Sequence, residues 1–312
     1  MKQQLNKVSQ TNSRVLISGP SGSGKELIAR WIHKKSNRNS FPFIIASCAT
    51  LSPERVEQVL FGWSEKLNDD QSSQYSVGLF EQANNGTLFF DEICDLPIQT
   101  QGKLVQAIQD QSFYKLGSNK KINVDVRVIS ASNKNLLKSM EEGVLREDLF
   151  YRLSVAPIEV PSLNKRGEDI NDLVEYFLKF ISKELGSNNL HLSSETLVVL
   201  QNYDWPGNVR QLKNIIEWLI IMYGNQENLI IKPSHLPPEI LGYNEIKKHD
   251  NIINNFNLSL KDARKNFEEN YLKEQLKRFK GNIAKTSTYI GMDRSALHRK
   301  LKELNININI YN

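Results

Sequence analysis

The sequence predicts an α/β fold in its first half, a parallel sheet with helices on both faces, followed by two all-helical regions. Short apolar segments alternate with helical patterns as far as Pro161, and this alternation is typical of parallel strands joined by crossover helices. Beyond Pro161 the patterns are helical only. A last helical stretch carries the surplus of positive charge in the chain.

The first predicted strand covers residues 14–18 and runs into a glycine-rich loop, after which a helix is expected from 25 to about 35. The loop reads Gly19-Pro20-Ser21-Gly22-Ser23-Gly24-Lys25. In this G-x-x-x-x-G-K pattern, backbone N–H groups surround phosphate oxygens and Lys25 reaches the β- and γ-phosphates. Glu26 replaces the Ser or Thr that usually helps to hold Mg²⁺. The alternative is a strand–helix turn without a ligand.

The next two predicted strands cover residues 43–46 and 87–90, and the second is followed by Asp91 and Glu92. Downstream of a phosphate-binding loop, this pair forms a Walker B arrangement. Asp91 would hold Mg²⁺, and Glu92 would polarise the attacking water. Two acids alone after a strand are often only a solvated strand end.

A helix is predicted at residues 103–109 and a fourth strand at 126–131. Ser132 and Asn133 follow that strand, where a polar side chain would contact the γ-phosphate or the water. Arg146 and Arg152 lie farther along, and arginine stabilises the charge of phosphoryl transfer, also from a neighbouring subunit. Structural salt bridges are the alternative for both arginines.

The helical region after Pro161 is predicted to hold helices at 169–185, 193–203 and 208–223, without strands. A proline cluster closes it, and an Asn- and Lys-rich linker follows. The predicted domains are therefore an α/β domain at 1–163, a helical subdomain at 164–240, a linker at 241–257 and a helical domain at 258–312.

The last domain is predicted to contain a helix at 268–280, a second at 283–290 and a third after Asp293, which would be its N-cap. An apolar stripe is expected on the first helix, formed by Phe267, Tyr271, Leu272, Leu276 and Phe279. On the third helix the buried stripe is formed by Leu297, Leu301 and Leu304. Its opposite face has the residue types that contact DNA grooves and phosphates, namely Arg294, Ser295, His298, Arg299 and Lys302.

Charge supports a polyanionic partner for this last domain. Residues 258–304 contain twelve Lys or Arg and six Asp or Glu, whereas the net charge of the whole chain is +5. This surplus predicts binding to DNA. The alternatives are a solvated helix face and a basic three-helix module that binds proteins.

The remaining composition indicates a globular cytoplasmic protein. Hydrophobic residues make up 39% and charged residues 24% of the 312 residues. The first residues lack the apolar core of a secretory signal, and no apolar run approaches the ~18 residues of a membrane helix. Cys48 and Cys94 form neither a disulfide framework nor a metal-ligand set, so we expect a reducing compartment.

These motifs and their order resemble the AAA+ family of bacterial enhancer-binding proteins, the activators of sigma-54 RNA polymerase, from about Val8 to Leu304. The P-loop of that family ends in Gly-Lys-Glu, which accounts for Glu26. Other matching stretches are residues 60–62, 86–92, 148–153, 166–170 and 205–210. Within the family, residues 11–25 resemble the nitrogen-regulation members, which are two-component response regulators.

The resemblance implies a P-loop NTPase (AAA+) core with an α-helical lid and a Fis-type helix-turn-helix, acting as an ATP- and Mg²⁺-dependent activator. Arg146 and Arg152 match the arginine fingers that act in trans, so a ring is implied, typically a hexamer. Asn133 matches sensor I, and Arg210 matches the sensor II arginine of the lid. Residues 281–284 and 297–302 resemble the Fis-type module, which dimerises on DNA. RNA polymerase with sigma-54 is the implied protein partner.

Three features depart from the family pattern. The family contacts sigma-54 through a Gly-Ala-Phe-Thr-Gly-Ala loop, and the corresponding residues 63–74 are polar here and lack the Phe-Thr tip. Ser47 stands where the family has an Asn that couples the nucleotide to this loop, and its side chain is too short to reach Glu92. The adenine-side segment and the receiver domain that precede Leu5 in the family are not in this sequence, which is expected to be a truncated or split product.

Because of these departures, two other functions remain as alternatives to an ATP-hydrolysing activator. One is a DNA-binding regulator with weak or no ATPase activity that does not engage sigma-54. The other is a degenerate fragment.

Overall fold

The computed structural model describes residues 2–65, 74–187, 190–226, 229–241, 260–304 and 306–307. The chain splits into two compact units, Met1–Ser162 and Leu163–Asn312. In these described ranges, no helix combines the length and the apolar character needed to cross a bilayer. The predicted linker at 241–257 lies, except for Leu241, outside the described residues.

Helices and strands alternate along the first unit, as the apolar segments predicted. They are α1 (Lys2–Ser9), β1 (Val15–Ser18), α2 (Lys25–Lys34), β2 (Phe43–Ser47), α3 (Val56–Phe61), β3 (Gly62–Glu65), β4 (Gln74–Val77), α4 (Leu79–Gln82), β5 (Thr87–Asp91), α5 (Ile98–Asp110), β6 (Ser112–Tyr114), β7 (Lys121–Asn123), β8 (Arg127–Ser132), α6 (Leu136–Glu141), α7 (Glu147–Leu153) and β9 (Ala156–Glu159). The four predicted strands correspond to β1, β2, β5 and β8, with ends that agree to within one residue.

Five of these strands form one parallel sheet in the order β2-β5-β8-β1-β9. The register places Ser47 beside Asp91 and Ser18 beside Ser132. Since parallel strands share one carboxyl edge, the P-loop after β1, the acids at the end of β5 and the polar residues after β8 lie along the same edge. The α/β fold class is thereby confirmed.

The central strands are buried on both faces, which explains why they are nearly continuous apolar runs. All six residues of β8 are buried, as are the first four of β5. One face packs in a cluster that includes Phe80, Leu104 and Leu149, and the other in a cluster that includes Leu5, Ala29 and Ile32. This two-sided packing holds the carboxyl edge in a fixed register.

Helix α1 was not predicted, because Leu5 and Val8 are the only strongly apolar residues in it. Its last turn is fixed by Arg127 at the start of β8, whose side chain is 2% exposed. The guanidinium donates from Nη2 to the carbonyl of Val8 at 2.8 Å and from Nη1 to that of Ser9 at 3.3 Å. A cation is favourable at a helix C-terminus. Burial, followed by the charge of Arg38, lowers the pKa of Arg127 to about 10.

Two antiparallel hairpins, β3–β4 and β6–β7, were also not predicted. They contact each other through Leu116, whose N–H donates to the carbonyl of Gly62 at 3.1 Å and whose carbonyl accepts from Ser64 at 2.9 Å. Residues 66–73, most of the predicted polar loop, lie outside the described residues.

The second unit is mainly helical. Its elements are α8 (Asp169–Leu185), β10 (His191–Leu192), α9 (Ser194–Asn202), α10 (Asn208–Tyr223), β11 (Ile230–Ile231), α11 (Pro238–Leu241), α12 (Leu260–Arg278), α13 (Ile283–Ile290) and α14 (Arg294–Glu303). The prediction of no strands was wrong, since β10 and β11 pair in parallel. Each has only two residues, too few to show a periodicity of two.

We call residues 163–241 the lid region and residues 260–307 the tail module. Tail helix α12 starts at Leu260, earlier than the predicted residue 268. In the tail core, Leu272, Leu276 and the three predicted leucines of α14 are buried. Phe267 and Tyr271 are 67% and 40% exposed and do not belong to the buried stripe. At about 100° per residue, Tyr271 lies too far around the helix from Leu272 to share its face.

Candidate functional site

The phosphate loop connects the buried strand β1 to helix α2. Gly19 has a φ of +152°, and a Cβ there would lie 2.5 Å from the carbonyl oxygen of Val160. Gly24, at the N-cap of α2, has a φ of +101°, and a Cβ there would meet no atom within 4 Å. The space above the N-terminus of α2 is therefore open, as a phosphate requires.

Lys25, the first residue of α2, points back into this loop. Its side chain is 6% exposed, and Nζ donates to the carbonyl of Gly19 at 2.9 Å. The same Nζ lies 3.2 Å from Oε1 of Glu92. The predicted phosphate lysine and the predicted general base are thus brought into direct contact.

Glu92 follows β5 in a left-handed conformation, with φ 59° and ψ 61°. Its second carboxylate oxygen, Oε2, accepts a hydrogen bond of 2.7 Å from the backbone N–H of Asn133. Because a left-handed conformation is costly for a residue with a Cβ, the fold holds this carboxylate in place at a price in strain. The Glu92 carboxylate therefore connects Lys25 of the P-loop to Asn133, which follows β8.

Asp91 ends β5 and is the register partner of Ser47 on β2. In the described part of the chain, no three His, Cys, Asp or Glu side chains form a group that could hold a metal alone. Mg²⁺ is usually held by one or two carboxylates together with substrate phosphates and water. Asp91, which directly precedes Glu92 at the carboxyl edge of the sheet, fits that donor set. Ser47 Oγ makes no described hydrogen bond to Glu92, in agreement with its short side chain.

Several contacts beside this site were not predicted from the sequence. Lys134 Nζ lies 2.7 Å from Oδ1 of Asp95, and this hydrogen bond raises the pKa of Lys134. Ser132 Oγ donates to Sγ of Cys94 at 3.4 Å, and burial raises the pKa of that thiol. These contacts join the turn after β5 to the end of β8. No sequence motif links these side chains, because the contacts depend on the turn after β5.

Glu26 is placed on the outside of α2. Its Oε1 accepts from Nε of Arg30 at 2.8 Å, and both side chains are about half exposed. It contributes a negative charge to the first turn of a helix, where such a charge is favourable. Pro20, Ser21, Gly22 and Ser23 complete the loop between β1 and α2.

The two predicted trans-acting arginines lie at opposite ends of α7. Arg146 precedes the helix and pairs with Asp148 through Nε at 3.0 Å and Nη2 at 2.7 Å. Arg152 is in the last turn and donates from Nη2 to Oε1 of Gln109 at 3.0 Å. All three bonds are exposed, so these guanidinium groups lie at the surface of the unit.

Arg210 belongs to the second unit and is exposed in the first turn of α10. Two non-glycine residues with positive φ precede it, Trp205 at 49° in the loop and Asn208 at 51° at the first position of α10. Trp205 Nε1 donates to the carbonyl of Leu200 at 2.7 Å, and Asn208 Oδ1 accepts from the N–H of Leu163 at 2.8 Å. These bonds fix the start of the helix that carries Arg210.

The predicted DNA-contacting residues all lie on the exposed side of α14. They are Arg294, Ser295, His298, Arg299 and Lys302. Opposite them, Leu297 and Leu301 are 0% and 1% exposed. Asp293 occupies the N-cap, but its side chain makes no capping hydrogen bond. The preceding helix, α13, does have a side-chain cap: Asn282 Oδ1 accepts a hydrogen bond from the N–H of Lys285 at 3.1 Å.

Three family models match consecutive parts of the chain. The sigma-54 interaction domain matches residues 1–159, the AAA+ ATPase lid domain residues 164–253, and the bacterial regulatory protein, Fis family, residues 263–304. The nitrogen assimilation regulatory protein NtrX of Azorhizobium caulinodans is 43% identical over 98% of this chain and 67% of its own length.

Solved structures agree. NtrX from Brucella abortus in complex with ADP is 42% identical, with a TM-score of 0.78 over 97% of this chain and 67% of that one. The complex of the same protein with ATP has a TM-score of 0.77 at equal identity and coverage. The chain therefore spans about two thirds of the length of these relatives. The predicted resemblance is confirmed: the chain belongs to the sigma-54 interaction domain family of transcription regulators, which combine an AAA+ ATPase module and its lid with a Fis-type helix-turn-helix.

Proposed function

We propose that this chain is an ATP-hydrolysing transcription regulator that binds DNA through its tail module. One observation carries the proposal: Lys25 Nζ and Glu92 Oε1 lie 3.2 Å apart beside an open glycine cradle. The ATP and ADP complexes of Brucella abortus NtrX support an adenine nucleotide as the ligand. A DNA-binding role supports the cytoplasm as the proposed location.

In the proposed reaction, Lys25 binds the β- and γ-phosphates and Glu92 accepts a proton from the attacking water. Mg²⁺, which Asp91 would help to hold, supplies positive charge to the phosphates. Asn133 orients the γ-phosphate or the water from the end of β8. Lys25 Nζ contacts Glu92 and the carbonyls of Gly19 and Pro20 with its three donors. A bound phosphate competes with these acceptors for the ammonium group and thereby leaves the Glu92 carboxylate more available to the water.

Arg146 and Arg152 are proposed to act on the nucleotide of a neighbouring copy in a ring, since both lie at the surface of the unit. Arg210 is proposed to read the nucleotide from the lid. The proposed domains are 1–163 for the α/β core, 164–240 for the lid, 241–257 for the linker and 258–312 for the DNA-binding domain.

The ATPase proposal is tested by comparing hydrolysis and binding in two variants. Glu92→Gln should retain ATP binding and lose hydrolysis by about 10²-fold or more, because the general base is lost. Lys25→Ala should lose binding as well. If wild type and Glu92→Gln hydrolyse ATP equally slowly, the catalytic role is wrong.

DNA binding is tested with Arg299→Ala and Lys302→Ala. Removing one phosphate contact should reduce the slope of log K against log salt by about one. Arg30→Ala, an exposed arginine on α2, is the matched control and should leave the slope unchanged. If all three variants bind duplex DNA alike, the outer face of α14 is not the DNA-contacting surface.

A second candidate function is regulation without sigma-54, and it is favoured by the missing Phe-Thr tip in residues 63–74. The sigma-54 interaction domain model supports sigma-54 RNA polymerase as the partner. Equilibrium binding of purified sigma-54 to the ATP-loaded Glu92→Gln variant distinguishes the two. DNA binding without sigma-54 binding would favour the second candidate.

A further inference from the structure

The tail module lies against the lid region in the second unit, and its contacts are specific. Tyr289, on α13, packs against the hydrophobic cluster of the lid that includes Trp205 and Leu212. The same ring contacts Phe279 at a centroid distance of 5.3 Å, at the end of α12. One aromatic side chain therefore belongs to the tail by sequence and to the lid core by packing.

Arg278 closes the contact from the last turn of α12. Its Nη2 donates to the carbonyl of Ile240 in the lid at 3.0 Å, and its Nη1 donates to the hydroxyl of Tyr289 at 3.3 Å. The guanidinium carbon lies 5.0 Å from the centroid of the Tyr289 ring. Arg278 thus binds a lid carbonyl while it stacks on the ring that packs into the lid core.

Two lysines of the tail lie beside the loop that leads to Arg210. Lys285 Nζ donates to Oδ1 of Asn202 at 3.5 Å, and Lys280 Nζ lies 3.9 Å from Oδ1 of Asp204. Asn202 ends α9, and Asp204 directly precedes the loop that starts α10. Tail residues therefore touch the segment that sets the position of Arg210.

These contacts differ in strength. Lys280 and Asp204 are 79% and 76% exposed, and ion pairs of this kind contribute little. The Lys285 bond is at the long limit for a hydrogen bond. The Arg278 bond is charge-assisted and partly buried, and a planar guanidinium over an aromatic ring adds to it. Arg278 and Tyr289 are therefore the pair on which the contact depends.

We propose that Arg278 and Tyr289 dock the tail module on the lid region, so that duplex DNA bound to α14 and nucleotide read by Arg210 are coupled within a single chain. The proposal rests on the proposed function, since it uses both ligands. It adds a route between them that needs no second subunit. By linkage, DNA must change nucleotide affinity by the same factor as nucleotide changes DNA affinity.

The docking itself is tested without any ligand, by hydrogen exchange on the full chain. Arg278→Lys keeps the charge but loses the planar fork and the stack. This variant should lose protection in residues 236–241 and 283–290 and keep it in α14. Tyr289→Phe, which removes only the hydroxyl that Arg278 binds, should show a smaller change of the same kind. Lys265→Ala, an exposed change on the same helix, is the control and should match wild type.

Coupling is then measured as the ratio of ATP dissociation constants without and with a 30-base-pair random-sequence duplex. Dilute protein carrying Glu92→Gln is used, so that hydrolysis and assembly do not contribute. The expected ratio differs from one by about 5-fold or more, the usual lower range of coupling between sites. With Arg278→Lys added, the ratio should fall to about one while each ligand alone still binds.

The proposal is overturned if Arg278→Lys matches Lys265→Ala in both hydrogen exchange and the coupling ratio. It is also overturned if the Glu92→Gln protein without further changes has a coupling ratio of one. If the duplex or ATP does not bind at all, the proposed function fails and the coupling fails with it. The exchange result still decides whether the tail is docked, so the two failures can be told apart.

Discussion

Gly19 and Gly143 both have positive φ, but their surroundings differ. A Cβ at Gly19 would lie 2.5 Å from the carbonyl oxygen of Val160, whereas one at Gly143, with a φ of +69°, would meet nothing within 4 Å. Gly143→Ala should therefore cost only the left-handed strain, about 1–2 kcal/mol. Gly19→Ala should cost more, because the backbone must also move, and it should weaken ATP binding. Urea unfolding and ATP titration measure both effects. If Gly19→Ala and Gly143→Ala are equally stable, the P-loop backbone can move at Gly19 to accommodate the added methyl group.

His33 is a buried histidine whose titration should be visible in the stability of the protein. Its side chain is 8% exposed, and Nδ1 lies 3.0 Å from Oγ1 of Thr87. Burial, and then the charge of Arg127, lowers the pKa of His33, although a backbone hydrogen bond at Phe41 opposes this. The unfolded chain then binds the proton at a higher pH than the folded chain, so stability falls as the pH drops below the ordinary value of about 6.5.

Urea unfolding between pH 7 and pH 5 checks this prediction. Wild type should lose more stability over that interval than His33→Gln, since the titrations of all other groups are common to both proteins. Parallel curves for the two proteins would show that His33 keeps its ordinary pKa.

At the level of residues, the sequence predicted which side chains meet but not how they meet. Lys25, Glu92 and Asn133 were all named, because the P-loop and Walker B patterns locate them. The bond to Glu92 comes from the backbone N–H of Asn133, and no pattern of side chains encodes that donor. The Lys134–Asp95 contact was missed for a similar reason, since it depends on the turn after β5.

Among the elements, the two helices of the helix-turn-helix begin differently. Asn282 caps α13 through a side-chain bond to the N–H of Lys285, whereas Asp293 at the start of α14 makes none. Asn282→Ala should therefore cost about 1 kcal/mol. Asp293→Ala should cost less than half of that, leaving only its favourable charge near the helix N-terminus. Thermal unfolding of the two variants measures the difference. An equal loss would mean that Asp293 forms a cap in solution.

Buried apolar strands and long amphipathic helices were predicted well, whereas polar or two-residue elements were not. Strands β1, β2, β5 and β8 are apolar because both faces of the sheet are covered, so composition alone located them. Helix α1 depends on a contact with Arg127, which is far away in sequence. The two-residue strands of the lid are too short for any periodicity. Leu260, where α12 begins, precedes the first apolar repeat of that helix.

At the scale of the whole molecule, the arginines of α7 can be tested by mixing inactive subunits. Arg152→Ala retains an intact phosphate cradle, and Lys25→Ala retains its arginines. If the arginine acts on a neighbouring copy, each variant alone should be inactive and an equimolar mixture should recover part of the wild-type ATPase rate.

A mixture of Lys25→Ala with Glu92→Gln is the control, because both changes damage the same site and no subunit offers a complete one. It should stay inactive. If the Arg152→Ala mixture is as inactive as this control, Arg152 acts within its own subunit or only supports the fold.

Assembly and domain docking were the least accessible from sequence. The motifs implied a ring and a DNA-binding tail, but they gave no indication that Arg278 reaches the carbonyl of Ile240. Such a contact joins residues far apart in the chain through a backbone atom, which has no sequence signature. The polar character of residues 63–74 was inferred from the amino-acid sequence alone.

The bond between Arg127 and the last turn of α1 has a practical consequence for anyone who cuts or fuses this gene. A fragment that starts at the first strand, near Val15, would remove both carbonyl acceptors of a guanidinium that is 2% exposed. A hydrogen bond to a charged group contributes about 1.5–3 kcal/mol, so losing these two bonds removes a large share of the stability of a typical domain. Expression vectors and chimeras should therefore keep residues 2–9 as part of the folded body and place any joint ahead of them.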